Sequence, residues 1–183
     1  MSSTCGYLVP DKEFTVGEFK KAIQTILEKD QIIYKESADS LTAGDRSLSF
    51  FTRDSNSSAF AFDSADIHDT VNRRLIPEEW GIGNGAKCQK CQSFLDEQLS
   101  DILSDLYERE YDNNQETDMA ILPVICDNCQ HTNQLIDMYF ESDVEIRSQY
   151  IQFINIENEF HPDKVKELGD FLNCNLKIFY SLI

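Results

Sequence analysis

Residues 88–129 read CQKCQSFLDEQLSDILSDLYEREYDNNQETDMAILPVICDNC and so begin and end with two cysteines that are two residues apart. In a reducing compartment cysteine thiols stay free. Two pairs of cysteines with this spacing then indicate a metal site or a redox site rather than disulfide bonds. One tight turn with this spacing can supply two ligands to a tetrahedral zinc ion. Cys88, Cys91, Cys126 and Cys129 are therefore predicted to bind one structural Zn²⁺ and to leave no ligand position open.

The surroundings of the second cysteine pair resemble the second knuckle of zinc ribbons. Residues 124–133 read VICDNCQHTN, a strand-like run into a turn and a second run out of it. The resemblance covers about residues 86–140 and implies a structural zinc that pins two hairpins together. Because 34 residues separate Cys91 from Cys126, more than in short ribbons, we expect a helical insertion. A thioredoxin-like redox site needs only one such pair, and iron–sulfur clusters favour other spacings.

The insertion is predicted to be an amphipathic helix with an acidic outer face. Leu95, Leu99, Ile102 and Leu106 recur at helical spacing and form one apolar stripe. The other side carries carboxylates four residues apart, and such like-charge pairs cost about 0.2–0.5 kcal/mol each in an isolated helix. Either zinc and packing overcome this cost without further consequence, or a basic partner relieves the repulsion, and we favour the partner. The predicted contact residues are Glu97, Asp101, Asp105, Glu108, Asp112, Tyr107 and Tyr111.

The first predicted helix lies near the start of the chain, after a short strand at residues 7–9. Thr15 and Glu18 have the spacing of a capping box, and Phe14 and Phe19 that of a hydrophobic staple. Apolar residues then recur at helical spacing to about Lys29. We therefore expect a helix that buries one face.

Residues 31–36, 47–53 and 58–63 are predicted to form strands, the last two as a hairpin about a turn at residues 54–57. Residues 64–76 fit either a short helix or an extended segment. Glycines at 81, 83 and 85 indicate a hinge rather than a phosphate loop, since the Walker pattern is absent.

Further strands are expected at residues 119–125, 134–140 and 149–156, with Pro123 indicating an edge position. Pro162 is predicted to open a helix that extends to about Leu172, and residues 173–183 fit a strand or a helix.

The fold class expected is α+β, a small antiparallel sheet with flanking helices and a zinc ribbon that carries a helical insertion. Residues 1–85 are predicted to form an N-terminal α+β part and residues 86–140 the ribbon. Residues 141–183 are predicted to form a strand and helix that pack on the N-terminal part.

Charge is the strongest feature of the composition, with 33 acidic and 16 basic residues and a net charge of −17. Such a field repels nucleic acids and anionic membranes and favours encounter with basic partners. Direct nucleic-acid binding is therefore disfavoured, and Lys87 and Lys90 are the only bases close to the first cysteine pair. The sequence shows no signal peptide and no apolar run of membrane-spanning length, which predicts a cytoplasmic protein.

The sequence contains no HExxH, GxSxG or Walker motif, so no enzymatic activity is expected. In general character the chain resembles small acidic bacterial immunity proteins, and no family-specific motif carries that resemblance. It implies an inhibitor that binds a basic toxin domain such as a nuclease. The alternative is a zinc-ribbon adaptor in transcription or RNA metabolism, which would bind a basic protein surface.

Overall fold

A computed structural model describes residues 4–35, 41–52, 61–77 and 85–182. These residues form an α+β fold with a six-stranded and a two-stranded sheet, which confirms the expected fold class. The strands are β1 (Thr4–Pro10), β2 (Ile33–Lys35), β3 (Leu41–Ala43), β4 (Ser64–Ile76), β5 (Pro123–Ile125), β6 (Thr132–Gln134), β7 (Glu145–Ile154) and β8 (Leu176–Leu182). The helices are α1 (Glu18–Lys29), α2 (Asp96–Asn113) and α3 (Pro162–Leu172).

The chain divides into two compact units. The first unit comprises Met1–Thr70 together with Ser148–Ile183, and the second unit comprises Val71–Arg147. The second unit is therefore an insertion in the sequence of the first, and it contains the whole ribbon-like region.

The large sheet has the strand order β2-β3-β4-β7-β1-β8. Strand β1 pairs antiparallel with both β7 and β8. Helix α1 precedes β4 and helix α3 joins β7 to β8, so the last four strands in this order have the connectivity of a split β-α-β fold. Strands β2 and β3 extend this sheet beyond β4.

The core of the first unit combines one face of the sheet with both of its helices. Leu8 lies opposite Ile151 and Gly6 opposite Phe153, so these residues share a face. The helices bury Phe19, Ile23, Leu27, Val165, Leu168 and Leu172 in the same core. Gly6 is required there, because a Cβ atom at this position would approach the rings and methyl groups of Phe160 and Ile156 to 2.7 Å.

Helix α1 is present as predicted, but the predicted capping box is wrong. Gly17, with φ at +88°, is the N-cap residue and no side chain of the cap closes the first turn. Asp69 of β4 takes that role, since its Oδ2 accepts from the amides of Gly17 (2.8 Å) and Lys20 (2.9 Å). The rings of Phe14 and Phe19 lie 5.4 Å apart, so the expected contact is present. With Gly17 as the N-cap, however, these residues are not at the two positions of a hydrophobic staple, and that prediction is wrong.

The strand predicted at residues 47–53 is wrong, because Ser47–Phe50 is a 3-10 helix. The hydroxyl of Ser49 donates to the carbonyl of Arg46 (2.7 Å), and such local bonds compete with strand pairing. The predicted turn at 54–57 and most of the strand at 58–63 lie outside the described residues. The ambiguous residues 64–76 form strand β4.

The strand predicted at residues 134–140 is also wrong. Strand β6 ends at Gln134 and Leu135–Asp137 is a 3-10 helix. Leu135 and Met138 are both buried, and this three-residue spacing suits a helical turn better than a strand. The strand predicted at 119–125 is shorter than expected, since Met119–Ile121 is another 3-10 helix.

The last predicted helix is confirmed as α3, with Pro162 in its first turn. His161 is its N-cap, and its Nδ1 accepts from the amide of Asp163 (3.3 Å). The residues after α3, which fitted either a strand or a helix, form strand β8.

Helix α2 organises the second unit. It buries Leu99, Leu103 and Leu106 in a core that includes two of the cysteines, Cys88 and Cys126. Ion pairs also connect β4 to the rest of this unit. Arg74 pairs with Glu110 of α2 at 2.8 Å, and Arg73 pairs with Asp118 at 2.7 Å.

Candidate metal centre

The four cysteines of the two CxxC motifs come together in the second unit. Their sulfurs all lie within 4.8 Å of one another. Cys88 Sγ lies 3.7 Å from Cys129 Sγ, and Cys91 Sγ lies 3.5 Å from Cys126 Sγ. These separations exceed a disulfide bond of about 2.0 Å. They are close to the edge of about 3.8 Å that follows from a tetrahedron with metal–sulfur bonds of about 2.3 Å.

The two cysteine turns have the same backbone structure. Each turn is closed by two backbone hydrogen bonds. The amide of the residue directly after the second cysteine donates to the carbonyl of the first cysteine. The amide of the first cysteine donates to the carbonyl of the second residue after the second cysteine. The participants are Cys88, Gln92 and Ser93 in the first turn and Cys126, Gln130 and His131 in the second, with distances of 2.8–2.9 Å. Gln92 and Gln130 both have positive φ, +61° and +56°, which reverses the chain after each pair.

Hydrogen bonds favour the thiolate form at the first cysteine of each turn. Burial raises the pKa of Cys88, but hydrogen bonds from the amides of Cys91 and Lys90, together with those from the side chains of Cys129 and Cys91, lower that pKa below its ordinary value. The Ser93 hydroxyl lies 3.2 Å from the Cys126 sulfur, and its hydrogen bond is the main reason that the pKa of Cys126 falls to about 6.

Cys129 behaves in the opposite way. The backbone amide of His131 lowers its pKa, but burial and the three neighbouring cysteines outweigh that bond and raise the pKa to about 12. The metal-free set therefore does not ionise as four independent thiols, since negative charge on one sulfur opposes charge on the next. A bound cation would favour the thiolate form of all four.

The arrangement can hold a metal ion with four sulfur ligands. Cys88 and Cys126 are buried, Cys129 is half-buried and Cys91 is exposed. Thiolate donors suit thiophilic metals such as zinc, and four protein ligands complete a tetrahedron. His131 contributes its backbone to the second turn and is not one of the four grouped ligands.

Two residues beside the cysteines were not singled out by the sequence analysis. Ser93 Oγ lies 3.0 Å from the sulfur of Cys91 and 3.2 Å from that of Cys126. Asn133 is a buried polar residue of β6 that bonds to the backbone of both turns. Neither residue belongs to a motif that the sequence reveals. The one sequence signal is that Asn133 comes seven residues after Cys126, the first cysteine of the second pair.

The five carboxylates predicted for the partner surface lie along α2, and all five are exposed. Among the described residues, none of the five makes an ion pair. The five carboxylates are those of Glu97, Asp101, Asp105, Glu108 and Asp112. The nearby Arg109 donates instead to the carbonyl of Asp105 (3.1 Å).

The two predicted aromatic contacts differ in their surroundings. Tyr111 is 89% exposed. Tyr107 is half-buried against the core of the second unit, and the guanidinium of Arg74 lies 5.2 Å from the centre of its ring. Tyr111 is therefore the better placed of the two to meet another molecule.

Comparisons with protein-family models, with curated proteins and with solved structures give no match to this chain. The likeness to zinc ribbons accordingly rests on the two cysteine turns. Across the described residues, the helices are too short or too polar to cross a membrane.

Proposed function

We propose that this chain is a non-catalytic, acidic zinc protein that inhibits a basic toxin domain by binding and covering it. The observation that carries the proposal is the row of exposed carboxylates along α2, which lack ion pairs within the described part of the chain. A rigid row of unpaired charges is complementary to a cationic groove such as a nuclease uses for its own substrate. A cytoplasmic location belongs to the proposal, because reducing conditions keep the four thiols free.

Zinc is the metal we propose for the four cysteines. The cross-turn sulfur distances of 3.5 and 3.7 Å support it, as does a closed set of four ligands, which is typical of structural rather than catalytic zinc. The ion would neutralise half of the thiolate charge and join the two ends of the segment that carries α2.

Metal analysis of the purified full-length chain tests this step. We expect one zinc per chain, and we expect cobalt substitution to give the absorption bands of a tetrahedral four-thiolate site. A protein that contains no stoichiometric metal after growth and purification in zinc-supplemented medium would overturn the zinc assignment.

The row of carboxylates is held on a well-anchored helix. Leu99, Leu103 and Leu106 bury the opposite face of α2, and the buried pair of Glu110 with Arg74 fixes its C-terminal half. A partner would therefore meet carboxylates on a helix that is already formed, so that no ordering of this part of the backbone would oppose binding. Tyr111, on the same half of the helix, is suited to serve as an aromatic anchor.

The proposed inhibitor surface is tested with a charge-neutralised variant. The probe is the protein encoded by the neighbouring gene, co-expressed and purified with this chain. The variant Glu97→Gln/Asp101→Asn/Asp105→Asn should weaken binding at least tenfold and reduce its salt dependence, because charge pairs across an interface are screened by salt.

A control variant carries the same change of charge on the first unit: Glu28→Gln/Asp30→Asn/Asp170→Asn, all at exposed positions. It should bind as the wild type does. Unchanged binding by the α2 variant would show that the surface assignment is wrong. Equal loss in both variants would show that only net charge matters.

Nucleic-acid binding would point to the alternative role in transcription or RNA metabolism. Lys87 is ion-paired with Glu141, which reduces the positive charge beside the first cysteine turn. A mobility shift with duplex DNA or single-stranded RNA at low salt would contradict the inhibitor proposal, and we expect none.

A further inference from the structure

We infer that Asn133 is the residue that positions the two cysteine turns for a common metal ion. Its side chain is completely buried. Its Oδ1 accepts from the amide of Gln89 (3.0 Å), and its Nδ2 donates to the carbonyls of Val124 (3.1 Å) and His131 (3.4 Å). One carboxamide thus bonds to backbone groups of segments that are far apart in the sequence.

Two of these partners lie in the metal-binding turns, and the third lies in the strand that leads into the second turn. Gln89 directly follows the first cysteine of the first turn. Val124 belongs to β5, which leads into the second turn, and the His131 carbonyl also accepts from the amide of Cys126 (2.9 Å). The Asn133 side chain therefore fixes the position of one turn relative to the other.

The cross-turn geometry is what a common ion requires. Both of the short sulfur separations, Cys88 to Cys129 and Cys91 to Cys126, join a cysteine of one turn to a cysteine of the other. Each turn can position its own two sulfurs by its local backbone bonds. The separation between turns needs a connection outside them, and Asn133 provides one.

The corresponding position of the first turn is occupied by an apolar residue. Asn133 comes seven residues after Cys126, and Leu95 comes seven residues after Cys88. Both side chains are buried, so packing alone could be met by leucine at either position. A buried amide is costly unless it is hydrogen-bonded, and at Asn133 both ends of the amide are satisfied by the turns.

This inference rests on the proposed zinc site, and the variant Asn133→Leu tests it in the full-length chain. Leucine has the same number and branching of side-chain heavy atoms as asparagine, although its methyl groups are somewhat larger, and it removes all of the hydrogen bonds of the side chain. Loss of a residue that orients metal ligands typically weakens metal binding by about 10–100-fold. We expect zinc affinity, measured by competition with a chromophoric chelator, to fall by that factor, and the visible bands of the cobalt-loaded protein to shift.

Two control variants separate positioning from general stability. Gln134→Leu makes a similar change at the next residue of β6, which is exposed, and should leave zinc affinity and the cobalt spectrum unchanged. Leu103→Ala opens a cavity in the core beneath α2. It should lower the melting temperature without changing the cobalt bands.

The outcomes are distinct. If the wild type binds one zinc and Asn133→Leu matches it in affinity and in cobalt spectrum, Asn133 is not a positioning residue. The same conclusion follows if Leu103→Ala shifts the cobalt bands as much as Asn133→Leu. If the wild type itself binds no zinc, it is the proposed metal site that fails.

Discussion

The buried ion pair of the second unit gives the sharpest prediction about stability. Glu110 accepts from Arg74 Nη1 at 2.9 and 2.8 Å, and its Oε1 also accepts from the amide of Thr117 at 2.6 Å. The side chains of Arg74 and Glu110 are only 6% and 11% exposed. Replacement of Glu110 by leucine would therefore leave a guanidinium in a largely buried site without its carboxylate.

The expected cost follows from these contacts. Removing one partner of a buried ion pair destabilises by about 3–5 kcal/mol, and loss of the acceptor for the Thr117 amide adds about 1 kcal/mol. The ring of Tyr107 lies beside Arg74 and offsets about 1 kcal/mol through a cation–π contact. We expect Glu110→Leu to lower the free energy of unfolding of the second unit by at least about 3 kcal/mol.

This loss of unfolding free energy can be measured in the second unit itself. The assay is hydrogen exchange of α2 peptides from the metal-loaded chain at increasing urea concentrations. The double variant Arg74→Met/Glu110→Leu removes both charges and should recover most of the loss, because an apolar pair of similar volume often replaces a buried ion pair without penalty. A loss below about 1 kcal/mol in Glu110→Leu, or no recovery in the double variant, would refute the argument from burial.

Three further outcomes are expected. Asp69→Ala should destabilise the first unit by about 1 kcal/mol in thermal unfolding, since Gly17 and Lys20 lose their acceptor at the start of α1. Asp69→Asn should retain only part of that stability, because its oxygen can accept from these amides but its NH2 group would face the donor Gln149 Nε2. The hydrogen bond from Arg73 lowers the pKa of Asp118 in the folded protein. The contribution of this ion pair to the stability of the fold is therefore complete above the pKa of about 3.9 that Asp has in the unfolded chain, and it is lost as the pH falls through the lower pKa of the folded state. The stability difference between the wild type and Asp118→Asn should therefore narrow in acid titrations below about pH 4. Chelation of the metal should increase hydrogen exchange in the second unit and leave the strands of the first unit protected.

The features that local pattern predicts well are the three helices and the grouping of the four cysteines. Helices α1, α2 and α3 each bury residues at helical spacing, and that period is written in the sequence itself. The four cysteines were identified because metal chemistry restricts both the residue type and the spacing. Each of these inferences needed fewer than 20 consecutive residues or one repeated motif.

The features that the sequence analysis missed depend on residues far apart in the chain. Asp69 caps a helix whose first residues lie 49 and 52 positions earlier, and the local pair Thr15 and Glu18 gave a plausible but wrong alternative. Asn133 meets Gln89 across 44 positions. At Ser47–Phe50, apolar and polar residues alternate as in a strand, but a local hydroxyl bond and burial of Phe50 favour a 3-10 helix.

The second unit contains the end of β4, the start of β7 and the chain that joins them, and this arrangement has a consequence for engineering. These two strands are neighbours in the sheet, so the chain leaves the sheet and returns to it at adjacent positions. A short turn in place of residues 71–147 would join the remaining parts of β4 and β7 in a shorter hairpin, because the entropy of loop closure depends only weakly on loop length. The segment that carries the cysteines could therefore be deleted, or inserted into another antiparallel hairpin, without a change in the strand order of the host sheet.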